Sequence, residues 1–127
     1  MAEDIFGIGI DLIEVSRIER AVTKRKLFLS RIYADAEVKL SDRGILRFEE
    51  LAGRFAVKEA ILKALKIGWR RGVKFREIIV LNEASGAPYV QLNGTVKRIA
   101  DELGVRKILV SISHTKEIAV GMAIAIR

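Results

Sequence analysis

The chain is predicted to be α+β, with a mostly antiparallel sheet packed on one long buried helix. Two observations carry that expectation. First, RFAVKEAILKAL (Arg54 to Leu65) is apolar around nearly its whole helical circumference, through Phe55, Ala56, Val57, Ala60, Ile61, Leu62, Ala64 and Leu65. A helix apolar on almost every side is a buried helix. Second, the chain after Phe75 changes to a period of two and falls into hairpin-like pairs separated by turn residues.

Taken in order, Ile5 to Ile10 read as a first strand that Asp11 ends, with Gly7 and Gly9 thinning one face. A helix follows, and either Asp11 or Ser16 can cap it, since Asp11 with Glu14 and Ser16 with Glu19 both fit the capping-box spacing. Its apolar positions Val15, Ile18 and Val22 leave Arg17, Arg20 and Lys24 on the open side. A short helix is expected from Asp35. The long helix is expected from about Gly44 to Lys66, with Gly68 as its stop. Phe75 to Leu81 and Pro88 to Leu92 form a hairpin around the turn Asn82 to Gly86. Asn93-Gly94-Thr95 opens a helix that Gly104 closes. A final hairpin turns near Thr115 to Glu117, and its last strand alternates Ile118, Val120, Met122, Ile124 and Ile126 with Ala119, Gly121, Ala123 and Ala125. That small face matches the strip Ala56, Ala60 and Ala64, so the two surfaces are expected to dock.

With 127 residues, half of them hydrophobic, the chain is long enough to bury a core and is read as one domain over 1–127. No cysteine is present, which excludes disulfides and thiolate metal sites. No apolar run spans a bilayer and the start MAEDIF has no basic n-region, so a cytoplasmic protein without membrane attachment is expected. The scarcity of Asn and Gln beside many charges hints at a thermophilic source. The net charge of +7 points to an acidic partner. One basic cluster runs from Arg17 to Arg31 and a second from Lys66 to Arg76.

Three polar residues stand where packing alone would not put them. Asp11 lies at the end of an apolar strand. Glu59 lies on the buried helix, in a narrow polar stripe with Lys63, while Lys58 stands alone on another face. His114, the sole histidine, is in phase with Ile108, Val110 and Ile112. Singly, each has a plain structural reading: a helix cap, an i,i+4 partner for Lys63, a core histidine beside a turn. Together, two carboxylates without histidine or cysteine partners suit a hard cation such as Mg²⁺, which takes one or two carboxylates and fills its octahedron with water and phosphate. Lys63 then serves as a point charge for the same phosphate.

GIGIDLIEVSRIER, LAGRFAVKEAILKA and VSISHTKEIAVGMAI, in that order, resemble the holo-(acyl-carrier-protein) synthase family of small bacterial 4'-phosphopantetheinyl transferases. The resemblance covers essentially the whole chain. It implies the phosphopantetheinyl transferase fold and transfer of the phosphopantetheine arm from coenzyme A to a serine of apo acyl carrier protein, for fatty-acid synthesis, with release of adenosine 3',5'-bisphosphate. By the same resemblance Asp11 and Glu59 bind Mg²⁺, Lys63 meets the phosphates, Arg54 reaches a coenzyme phosphate, and His114 and Thr115 lie beside the coenzyme. Glu59 through a bound water and His114 both stay open as the general base. Arg17, Lys24 and Phe28 match the surface that docks the acidic carrier, whereas Arg20, Arg25 and Lys26 read as a solvated face. The family's usual state implies a homotrimer with sites at subunit junctions, Asp11 and Glu59 coming from different chains.

Departures from the family pattern fall at Lys66, where glycine is frequent, at the enlarged loop Trp69-Arg70-Arg71, and at Gly86-Ala87-Pro88. Contacts to the adenine end of the coenzyme are therefore open. The rival reading is a small basic nucleic-acid-binding module. It explains the charge, but aromatic residues for stacking are few, and it leaves Glu59 and His114 without a purpose.

Overall fold

A computed structural model describes residues 3–69 and 72–127. Arg70 and Arg71 of the enlarged loop lie outside the described residues, as do the first two residues of the opening segment. The elements run β1 (Ile5–Glu14), α1 (Val15–Lys24), α2 (Phe28–Ile32), α3 (Asp35–Leu40), α4 (Phe48–Ala64), a 3₁₀ turn (Phe75–Glu77), β2 (Ile78–Asn82), β3 (Pro88–Leu92), α5 (Gly94–Glu102), β4 (Lys107–His114) and β5 (Ile118–Ile126). The class is α+β, and all strand pairing is antiparallel. Strands β1, β5 and β4 form one sheet in that order, and β2 with β3 forms a separate hairpin.

The expected docking of small surfaces is present and sets the geometry of the molecule. Ala119, Ala123 and Ala125 of β5 are fully buried, as are Ala56, Ala60 and Ala64 of α4. A methyl group on Gly121 would strike the backbone at Ala56 and Val57, one on Gly9 the Ala60 carbonyl, and one on Gly7 the Ala64 carbonyl. Gly53, near the start of α4, sits against Ile112 of β4. Helix α4 therefore crosses the sheet diagonally, from β4 over β5 to β1, with backbone nearly touching backbone.

Several boundaries differ from the sequence expectation, each for a tertiary reason. Strand β1 does not stop at Asp11; its register with β5 continues through Asp11↔Gly121 to Glu14↔Ile118. Neither Asp11 nor Ser16 caps α1. The cap position is Glu14, without a side-chain bond, and the Val15 N–H is satisfied by the Glu117 carbonyl at 2.8 Å. The next strand's turn supplies the acceptor that a capping side chain would otherwise provide. The five-residue α2 has no counterpart in the periodicity. Helix α4 begins at Phe48, because Gly44 adopts φ 88° in a turn held by the Asp42 carboxylate.

At its other end α4 stops before Gly68. Lys66 takes the left-handed conformation at φ 63°, and the Ile67 N–H closes on the Leu62 carbonyl at 3.1 Å. This is a Schellman termination with lysine where glycine is usual. The Lys66 ammonium lies 4.6 Å from the Phe6 ring centre, a cation–π contact that offsets part of the backbone strain. Phe75 to Glu77 form a 3₁₀ turn rather than the first residues of β2. Asn93 makes no side-chain cap on α5. The Glu77 carboxylate reaches across instead, accepting from the Thr95 and Val96 N–H groups at 3.1 and 3.4 Å.

The fully buried charges are not the ones the sequence singled out. Lys58, expected alone on its face, is completely buried, and its ammonium donates to the Glu37 carboxylate of α3 at 2.8 Å, to the Phe75 carbonyl at 3.0 Å and to the Ile78 carbonyl. Glu37, also fully buried, further accepts from the N–H groups of Ala34 at 2.9 Å and Val80 at 3.0 Å. Such a pair is tolerable in the core only because both partners' hydrogen-bonding capacity is filled. Burial still dominates for Lys58, and it pulls the ammonium pKa down to about 8 against the opposing pull of Glu37.

Candidate active site

Asp11 projects from β1 toward α4, on the same face as Gly9 and Ile13. Lys63 comes up beside it: its ammonium donates to the Ile10 carbonyl at 2.8 Å and stands 3.4 Å from Asp11 Oδ1. Glu59 lies one turn earlier on α4 and is half-buried. Lys63 is turned to β1, so among the described residues Glu59 has no ion-pair partner, contrary to the plain i,i+4 reading. Burial, and then the negative charge of Asp11, push the Glu59 carboxyl up from its ordinary value, and Lys63 only partly opposes them. Two carboxylates thus face one another with one cation for both. A single chain brings Asp11 and Glu59 together, so the expectation that they come from different subunits is corrected.

Arg54 and His114 belong to a second cluster. Arg54 is buried, with 3% of its surface exposed, and donates from Nη2 to Asn82 Oδ1 at 2.6 Å, while its Nε has no partner among the described residues. Burial lowers the guanidinium pKa, against the raising pull of Glu37, Glu50 and Tyr33, and the group stays cationic. Arg54, Arg43, Asn82, Gly86, Pro88 and the exposed His114 line a cleft of about 480 Å³. Asn82 is a residue that sequence reasoning passed over. Its amide also donates to the Gly86 carbonyl at 3.0 Å, tying the hairpin turn to the arginine. Its only signal was its place at the start of that turn. Thr115 stands next in the chain, with its hydroxyl accepting from the Glu117 and Ile118 N–H groups, both at 3.1 Å, to hold the β4–β5 turn.

The strand order keeps these two clusters apart. Asp11 is on β1 and His114 on β4, with β5 between them, a separation of about 10 Å across two strand spacings. Arg54 sits at the β4 end of the diagonal that α4 follows, and Glu59 with Lys63 at the β1 end.

A third group forms a groove of about 460 Å³ along α1 and α2. Arg17, Lys24 and Phe28, the three expected docking residues, line it together with Ile13, Ile18 and Phe55. Arg20 and Arg25 line it too, and both are exposed, as a solvated face requires. The turn after α1 brings Arg25 round to the same side. Lys26 alone of the three lies elsewhere, lining a cleft on the other side of α2 with Leu29 and Lys39. Phe55 stacks on Phe28 with ring centres 6.5 Å apart, an aromatic floor built from residues that are distant in sequence. Ile13, in the groove wall, is two residues from Asp11 on the same strand face, which puts the groove beside the carboxylate pair.

A basic groove opening onto paired carboxylates, with a buried arginine in a neighbouring cleft, invites comparison with known proteins. Residues 7–123 match the family model of the 4'-phosphopantetheinyl transferase superfamily. The chain belongs to that superfamily. It is accordingly a phosphopantetheinyl transferase. Holo-[acyl-carrier-protein] synthases of Alkaliphilus oremlandii and Solibacter usitatus are 44% and 43% identical to it, over 96% and 94% of this chain and 99% and 94% of theirs. The crystal structure of holo-ACP-synthase from Plasmodium yoelii superposes with a TM-score of 0.87 at 31% identity, covering 99% of this transferase and 98% of that chain. A holo-(acyl-carrier-protein) synthase from Bacillus anthracis, in complex with CoA (3',5'-ADP), gives a TM-score of 0.78 at 35% identity, covering 98% of both chains. The expected fold thus stands.

The carboxylate pair of this transferase fits a hard cation by its own chemistry. Among the described residues no group of three or more His, Cys, Asp or Glu is poised for a metal. Two carboxylates with surplus negative charge are what a Mg²⁺ ion takes when water and substrate phosphate supply the remaining ligands. No helix among the described residues is long and apolar enough to cross a membrane.

Proposed function

We propose that the chain acts as a holo-[acyl-carrier-protein] synthase, moving the 4'-phosphopantetheine arm of coenzyme A onto a serine of apo acyl carrier protein in the cytoplasm, with residues 1–127 as one transferase domain. The observation that carries the reading is the half-buried Asp11–Glu59 pair at the mouth of a basic groove, in a chain more than 40% identical to named synthases. Bound by Asp11 and Glu59, Mg²⁺ would neutralise charge on the coenzyme pyrophosphate.

The chain's own residues do the rest. Lys63, fixed by the Ile10 carbonyl, offers an ammonium to the same phosphates. Arg17, Lys24 and Phe28 hold the acidic carrier so that its serine arrives beside Asp11. The serine oxygen bonds to the phosphorus bearing the pantetheine arm, the bond from that phosphorus to the bridging oxygen breaks, and adenosine 3',5'-bisphosphate leaves. Fixed positive charge around the leaving oxygens is most of what such a transfer needs. Glu59, acting through a bound water, and His114 of a neighbouring copy are the two candidate acceptors of the serine proton.

The strand order and the surface support a homotrimer with sites at subunit junctions. Arg54, His114 and Thr115 stand apart from Asp11 within one chain, with β5 between β1 and β4, which favours their serving the coenzyme from a neighbouring copy. On the sheet face turned away from α4, Ile8, Ile10 and Leu12 are each more than 60% exposed, and Leu109 is exposed on the same face two strands away. An apolar patch of that kind marks a surface that another chain covers.

The test is the mass of an apo acyl carrier protein after incubation with this chain, coenzyme A and Mg²⁺. The expected result is a gain of one phosphopantetheine, abolished by EDTA and by Glu59→Gln. No gain with several carrier proteins overturns the reading.

A further inference from the structure

Arg76 belongs to the second basic cluster, to which the transfer chemistry assigns no part. Its Nη1 donates to two backbone carbonyls, Ser30 and Tyr33, each at 2.6 Å, and its Nη2 stands 3.4 Å from the Asp35 carboxylate. The Asp35 side chain is 98% exposed, so that ion pair adds little. The carbonyl bonds matter more, because they close the C-terminal end of α2. In a longer helix the Ala34 N–H would reach the Ser30 carbonyl, but here it is given to Glu37.

Helix α2 has five residues, far below the length that holds itself together in water, about 12–15 residues. Tertiary tethers therefore decide where it points. It opens with Phe28, whose ring packs on Phe55 and, edge to face, on Tyr33, and which forms part of the basic groove. The 3₁₀ turn that carries Arg76 is itself rigidly seated: Phe75 packs edge-on against Phe55 at 5.1 Å, and Glu77 caps α5. Arg76 thus links a fixed part of the core to the far end of the helix that presents Phe28.

We propose that Arg76 is a positioning residue for carrier docking: by holding the last carbonyls of α2, it sets the angle at which Phe28 meets the incoming acidic protein. The proposal rests on the docking reading of the groove given above. The glutamine amide is two bonds too short to reach both carbonyls, whereas a lysine ammonium keeps the length and charge but not the planar fork of the guanidinium, so Arg76→Lys restores the tether in part.

The test measures KM for apo carrier and for coenzyme A separately, in the wild type, Arg17→Ala, Arg76→Gln, Arg76→Lys, Phe28→Ala and the double variant Arg76→Gln/Phe28→Ala, with a thermal melt of each. Arg76→Gln is expected to raise the carrier KM about five- to tenfold while leaving kcat and the coenzyme KM within about twofold. Arg76→Lys should fall between, and it carries the comparison if Arg76→Gln does not fold. In the Phe28→Ala background, Arg76→Gln should add less than about a twofold effect. A carrier KM equal to wild type overturns the proposal, as does a parallel rise in the coenzyme KM or an effect that multiplies independently of Phe28. If Arg17→Ala also leaves the carrier KM unchanged, the docking reading itself fails, which separates the two outcomes.

Discussion

Glu59 carries the clearest conflict between stability and function at the scale of a single residue. Its carboxyl is pushed up by burial and by Asp11, so the ionised form is penalised in the folded chain. Between the ordinary glutamate range and that raised value the folded state binds more protons than the unfolded state. Stability without metal therefore falls as pH rises through that window, then levels off above it. Glu59→Gln removes the penalised charge. We expect the metal-free variant to melt above the wild type at pH 7, to lose transfer activity, and to show no rise in Tm on adding Mg²⁺, where the wild type does. Differential scanning calorimetry with and without Mg²⁺ checks this, and a variant that melts lower than wild type without metal contradicts it.

Among elements, the Lys58–Glu37 pair shows how a short helix is locked to the core. Helix α3 has six residues, and Glu37 fastens it to α4 through Lys58 and to β2 through the Val80 N–H. Removing one member leaves a buried charge without its partner. Lys58→Met is expected to lower the unfolding free energy by about 3–5 kcal/mol, and a further Glu37→Gln, which removes the stranded charge, to recover part of that loss. Denaturant titration of the two variants checks the pair. Sequence alone directed attention one residue along, to Glu59, because metal-binding spacing is legible in a motif. A partner 21 positions away is not.

Viewed whole, the molecule is asymmetric: one face of the three-stranded sheet is filled by α4, and the other is left apolar and open. Ile10→Asp places a charge on the β1 side of that open face, away from α4, since the Ile10 side chain is 61% exposed in the single chain. By sedimentation velocity the wild type should run as a trimer and the variant as a folded monomer. Mass-spectrometric assay should show its transfer activity lost, because the Arg54–His114 cleft no longer meets a neighbour's Asp11–Glu59 pair. A trimeric variant, or a fully active monomer, contradicts the junction site.

Much of this protein was decided within short stretches of chain. The all-round apolar helix, the alternation of small and large residues on the last strand, and the hairpin turns are local patterns that repeat within one turn or one strand pair, and they predict α4, β5 and their contact. The motif residues Asp11, Glu59 and Lys63 were legible for the same reason, and packing does bring them together. Tertiary structure decided what depends on distant partners. It carried β1 past Asp11 by pairing it with β5, and it capped α1 and α5 from other elements rather than from Ser16 or Asn93. It buried Lys58 against Glu37 and seated α2 under Arg76. It also divided the predicted site residues into three groups, because α4 crosses the sheet at an angle and β5 lies between β1 and β4. Periodicity records which side of an element is apolar, whereas the meeting of side chains tens of residues apart is set by the crossing angle and the strand order.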